Sequence, residues 1–152
     1  MRIGFLTSIV HPQIKYEAEY LSKRFHVTYM VTPILERKQL LYAFKCLFKN
    51  FPEVCTSLLK LKVPPIPQLL PNILISSIIL EKGKMHTKKY DLIYAHWLYP
   101  AGFIGLMLSK ILNCKLILAI WGYDIQVLRE VKDYSVQGLN RVKALKLLQV
   151  SC

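Results

Sequence analysis

The first thirty-one residues confine the chain to a small set of folds. Residues 2–7 are apolar and β-rich without a clean polar alternation, the pattern of a central strand buried on both faces. After Pro12, the apolar residues Ile14, Ala18, Leu21 and Phe25 recur at spacings of four, three and four, which predicts an amphipathic helix over residues 13–25. Residues 26–31 are β-branched and aromatic and predict a second strand. A strand, a helix and a strand in so short a stretch make a right-handed crossover unit with parallel strands. Parallel sheets are covered on both faces, so the rest of the chain has to supply further helices.

It does so in alternation. From residue 36 to residue 61 a helical period runs through Leu40, Leu41, Phe44, Leu47, Phe48 and Phe51, with Pro52 dividing it into two helices. The proline cluster at residues 63–67 is extended, a short edge strand. Pro71 suits the first turn of a third helix running through Ile79 or a little beyond, and Gly83 is expected to break or end it. Residues 90–96 read as a strand, Pro100 and Gly102 open a helix through Leu112, and residues 115–121 read as another buried strand. A polar helix over about 134–145 and a last strand over 147–150 complete the pattern. The expectation is one α/β domain, a doubly wound and mainly parallel sheet.

Composition narrows the function. Hydrophobic residues make up 53% of the 152 positions, too many for a disordered chain. A membrane span needs about 20 apolar residues; the best stretch, 103–121, is interrupted by Ser109, Lys110, Asn113 and Lys115. The opening residues lack the apolar block and small-residue cleavage site of a signal peptide. Cys46, Cys55, Cys114 and Cys152 show no metal-ligand spacing, and a regular α/β pattern needs no disulfides, so four reduced thiols in the cytoplasm are expected. Lysine and arginine outnumber aspartate and glutamate by 21 to 9, a net +12 that favours anionic partners, or else marks a solvated basic surface or an N-terminal half balanced by an acidic other half. The basic residues are scattered and form no nucleic-acid-binding motif, which ranks nucleic acid last among the partners.

In sheets of this kind, ligands bind beyond the carboxyl ends of the strands. Residues 8–13, 96–102 and 121–124 meet that condition. Neither a G-x-G-x-x-G fingerprint nor a G-x-x-x-x-G-K loop is present, which speaks against hydride transfer and against a kinase.

Residues 91–102 carry the pattern D-apolar-apolar-x-A-H-W-x-x-P-x-G, and residues 116–125 are an apolar run ending in Trp121, Gly122, Tyr123, Asp124 and Ile125. Both segments resemble the family-four glycosyltransferases of the GT-B fold, in particular their N-terminal, acceptor-side domain. The resemblance covers nearly the whole chain, being strong over 91–125 and weak over 32–80. Trp121 stands where the family most often has histidine and Tyr123 where it has serine or threonine. The glycine-rich loop after the first strand is absent. The resemblance implies a Rossmann-like domain, half of a GT-B fold, truncated before the C-terminal donor-binding domain with its paired glutamates. It implies transfer of a sugar from a nucleotide-sugar donor to a saccharide or lipid-linked acceptor. This chain would bind the acceptor and no cofactor, would meet a C-terminal-domain partner chain, and alone would be inactive or nearly so. The alternative is a non-catalytic α/β binding module or the partner subunit of a split transferase.

On that reading His96, Tyr99, Gly102, Trp121, Gly122 and Asp124 form the acceptor site. His96 can bond a sugar hydroxyl or phosphate, or be a satisfied structural histidine. Trp121 can stack on a sugar face or fill a core. Gly122 allows close backbone approach, and Asp124 caps a helix or holds a ligand. Tyr99 and Gly102 shape the cleft, with Gly102 placed to face a phosphate at a helix start. His11 is read as a solvated loop histidine. The catalytic residues are not identified, and no metal site is expected. Finally, Lys38, Lys45 and Lys49 interleave with Phe44 and Phe48, as in helices that lie on an anionic membrane surface. A packing helix with a solvated basic face is the plainer account. The expectation is a cytoplasmic protein and, on the membrane reading, one peripheral at the inner membrane face.

Overall fold

The computed structural model describes residues 1–32, 35–61, 69–85 and 89–120. Its sheet has four strands, β1 (Arg2–Thr7), β2 (His26–Val31), β3 (Leu92–His96) and β4 (Lys115–Ala119), in the spatial order β2-β1-β3-β4. Every pairing is parallel. The doubly wound α/β reading is therefore met, with β1 and β3 at the centre.

Period-two alternation sorts the side chains of the central strands onto two faces. Phe5 faces α1 (Pro12–Ser22), where it packs with Ile14 and Ala18. Leu6, Ile93 and Ala95 face the other way, toward α4 (Leu70–Met85) and α5 (Phe103–Leu112). Helices α2 (Arg37–Lys49) and α3 (Phe51–Lys60) form an outer layer. In it, α2 packs on α4 through Ala43, Cys46, Leu74 and Ile78, and α3 packs on α5 through Val54, Phe103 and Met107. Because α5 is thus covered on all sides, residues 103–109 are all buried, as expected of a helix apolar all round. Gly105 lets it sit close to the sheet: a Cβ there would lie 3.0 Å from the Ala95 Cβ and 3.2 Å from Leu116 Cδ1.

Several boundaries differ from the sequence reading. Helix α1 ends at Ser22, because residues 23–25 form the turn that returns the chain to β2; the Phe25 N–H bonds to the Leu21 carbonyl at 3.0 Å. The break between α2 and α3 falls at Asn50, with Pro52 in the first turn of α3, where its missing N–H costs nothing. Gly83 does not break α4 but stands two residues before its last residue, Met85; the buried Leu74, Ile75, Ile78 and Ile79 all precede it. The expected edge strand at 63–67, the helix at 134–145 and the strand at 147–150 lie outside the described residues. Among those residues, no helix is long and apolar enough to cross a membrane. Cys46, Cys55 and Cys114 are free thiols, and burial pushes the Cys114 thiol up, in keeping with a core residue.

Candidate functional site

At the carboxyl end of β1, Thr7 turns the chain by bonding through its hydroxyl to the Ile9 carbonyl at 2.8 Å. His11 then caps α1, its Nδ1 accepting from the Gln13 N–H at 3.3 Å. Its role is local, as the sequence suggests. Farther along, α1 presents Glu17 toward β3. Tyr94 and His96 are two residues apart on that strand and therefore share the α1 face. The Tyr94 hydroxyl donates to Glu17 Oε1 at 2.6 Å, and His96 Nε2 lies 3.1 Å from Glu17 Oε2.

Phe5 underlies the cluster. Its ring centroid lies 5.2 Å from that of Tyr94 and 5.0 Å from that of His96, and the latter two rings meet edge-on at 5.2 Å. Such contacts fix ring orientation as well as burying area. Burial holds the His96 pKa below its ordinary value, and only in part does the Glu17 carboxylate oppose this. Burial first, then the bond to Glu17, pushes the Tyr94 hydroxyl well above its usual range, so it stays a donor.

The sequence leaves His96 open between a direct ligand of a sugar and a satisfied structural histidine. In the structure only 1% of its side chain is exposed, against 37% for Glu17. The carboxylate is the accessible member, and His96 and Tyr94 position it. Glu17 is absent from the residues that the sequence singles out, although a signal exists: it falls between Ile14 and Ala18 on the helix face that turns to the core, where a carboxylate needs a partner.

The next residues make a sharp corner. Trp97 continues the ladder by donating to the Ala119 carbonyl at 3.1 Å, then takes φ 74° and ψ 140°. That region is nearly reserved for glycine and costs about 1–3 kcal/mol. The Gly102 N–H closes a wide turn onto the Trp97 carbonyl at 2.9 Å. Tyr99 lies within the turn at extended dihedrals, and the Tyr99–Pro100 peptide is cis. The helix expected to open at Pro100 and Gly102 therefore begins regularly only at Phe103.

Tyr99 is directed at α4, where its hydroxyl accepts from Asn72 Nδ2 at 2.7 Å. The pair pins the corner to the helix behind it. Gly102 is buried, and its backbone is ordinary helix, φ −63°. A Cβ there would lie 2.9 Å from the Trp97 carbonyl oxygen and 3.1 Å from Leu118 Cδ2. Its glycine is explained by this close approach. Trp121, Gly122 and Asp124 lie outside the described residues. Of the residues expected to form an acceptor site, then, the structure brings His96, Tyr99 and Gly102 to one corner, each with a partner inside the fold.

The membrane-surface residues divide differently. Phe44 and Phe48 are exposed on α2. Lys38 pairs with Glu36 at 2.8 Å in solvent, and Lys49 pairs with the largely buried Glu81 on α4. Asn50, wholly buried, bonds to the Cys46 carbonyl at 2.8 Å and reaches Glu81 as well. Lys49 is thereby a staple between α2 and α4. No group of three or more possible metal ligands exists among the described residues.

The depressed His96 pKa has a consequence for stability. Unfolding returns the imidazole to water, where it takes up a proton below pH about 6.5. The unfolded state then binds more protons, so this contribution is complete above that pH and is lost as pH falls toward the folded-state value. The melting temperature is expected to fall between pH 7 and pH 5.5, and His96→Gln should flatten that slope. An equal slope in both proteins would remove His96 as its source.

Compared with family models, curated proteins and solved structures, the chain matches none.

Proposed function

We propose that the chain is the acceptor-side half of a sugar-transferring enzyme, with Glu17 as its ligand-facing group. The observation that carries this reading is the Tyr94–Glu17–His96 cluster near the carboxyl ends of a parallel sheet. A carboxylate has about four acceptor positions. The Tyr94 hydroxyl already donates to it and His96 Nε2 stands 3.1 Å away, and the remaining lone pairs suit the hydroxyl hydrogens of a saccharide. Held in advance, such a group binds without paying for rotamer ordering at the moment of contact. The likeness of residues 91–102 to the glycosyltransferase pattern supports the choice of ligand.

Transfer itself requires donors or charges that stabilise the leaving diphosphate. The resemblance assigns these to a donor-binding domain. Acceptor binding without consumption of nucleotide sugar is therefore expected of these residues alone, with turnover appearing when a donor-binding partner is supplied.

Ligand-observed NMR with a panel of saccharides and lipid-linked sugar phosphates tests the reading. Glu17→Gln should weaken saccharide binding roughly tenfold, as expected for losing a hydrogen bond to a charged group. Glu19→Gln, on the exposed side of the same helix, should leave it unchanged. If the folded protein binds no saccharide, or binds it equally well after the Glu17→Gln change, the proposal fails. Binding that never leads to donor turnover in a complete assembly would instead favour the binding module.

A further inference from the structure

Helix α2 has two apolar faces, and only one of them is used by the fold. Ala43 and Cys46 are buried against Leu74 and Ile78 of α4, with Leu40 and Leu47 beside them. Leu41, Phe44 and Phe48 follow one another at spacings of three and four on the opposite side. They are exposed to 85%, 38% and 74%. Three large apolar side chains in one outward row are far from the scattered single exposures normal on a surface.

The charges on the helix are equally one-sided. Its thirteen residues include Arg37, Lys38, Lys45 and Lys49 and no acid. At 100° per residue, Lys38, Lys45 and Lys49 fall in a row along one flank of the apolar ridge. Glu36 pairs with Lys38 and Glu81 with Lys49.

We infer that this face of α2 docks on an anionic lipid surface, the ridge entering the interface and the lysines meeting the headgroups. Shape and charge together select this occupant. The ridge is convex and one helix wide, which suits insertion into a soft interface; peptide helices are instead recognised by grooves. A second copy of the chain would set one acid-free basic helix against another. Nucleic acid would meet phenylalanine and leucine where it needs cations. Anionic headgroups above an apolar layer match both features at once.

The inference is independent of the proposed sugar site, and its test does not touch that site. The probes are vesicles of phosphatidylcholine with phosphatidylglycerol and vesicles of phosphatidylcholine alone, followed by co-sedimentation. The full chain should bind the anionic vesicles in a salt-sensitive manner and bind the neutral ones weakly. Leu41→Ser combined with Phe48→Ser should lower binding tenfold or more, because both side chains lie in water in the free protein and circular dichroism should stay unchanged. Lys45→Gln should lower it about fivefold, the equivalent of ~1 kcal/mol per cation near an anionic surface. Leu59→Ser, at an exposed leucine of α3, should have no effect. Absence of binding by the folded chain, or binding that survives the Leu41/Phe48 change, would overturn the inference. So would a dimer in solution that the same double change dissociates.

Discussion

Phe5→Ala is expected to lower the free energy of unfolding by about 3–5 kcal/mol, the range for emptying a fully buried aromatic site. Phe5 has no exposed surface and sits on a central strand against Ile14 and Ala18 of α1. Its ring also stacks on Tyr29 at 5.6 Å and supports Tyr94 and His96. Truncation would leave a cavity bounded by a strand on either side and a helix above, with little freedom to collapse. Urea denaturation gives the measurement, and a shifted midpoint at constant slope would identify a loss of stability. Phe5→Leu should recover most of the loss. A cost below about 1 kcal/mol would show that the α1 face is not packed as described. The saccharide affinity of the alanine variant should fall as well, since the rings that orient Glu17 rest on Phe5.

The second large effect runs against the usual rule. Glycine to alanine in helical backbone ordinarily stabilises by up to about 1 kcal/mol. At Gly102, where φ is −63°, that gain would be available if space allowed. It does not: the new methyl would stand 2.9 Å from the Trp97 carbonyl oxygen, a backbone atom that the Gly102 N–H itself holds. Trp97 is already at an unfavourable φ of 74° and has no easy way to yield. Gly102→Ala is therefore expected to destabilise by about 1–3 kcal/mol, the cost of overpacking. Thermal unfolding decides the sign. A stabilised variant would mean that the corner after β3 has room to move.

The sheet is legible in the sequence because its strands are compact apolar blocks whose burial on both faces leaves few alternatives. The two strands at residues 2–7 and 26–31 are placed to the residue, and the other two to within two residues over the part described. Helix ends are harder. At Ser22 and Asn50 they are set by where the chain must turn to meet the next element, and local sequence records that only weakly. In α4 the helix runs only two residues past the glycine that signals its stop.

The site is legible in position and not in roles. The pattern ending at His96 marks a strand end. Whether that histidine faces solvent depends on α1, whose Glu17 lies far away in the sequence and 3.1 Å away in space. The sequence makes Tyr99 a cleft residue because nothing near it in the chain points to Asn72 as its partner. In α2 the period is right, yet it cannot tell which of two apolar faces, Leu40 with Leu47 or Leu41 with Phe48, turns inward.

The pairing of β1 with β3 carries a consequence for how the chain acquires its shape. The Arg2 N–H reaches the Asp91 carboxylate at 2.7 Å across a sequence separation of 89 residues. Strands β1 and β2 with α1 can come together locally and early, but the central pair has to wait for a large loop to close. Such non-local parallel pairing folds slowly, on the scale of milliseconds to seconds. During synthesis the inward edge of β1 stays unpaired until β3 has left the ribosome, at ordinary elongation rates an interval of several seconds.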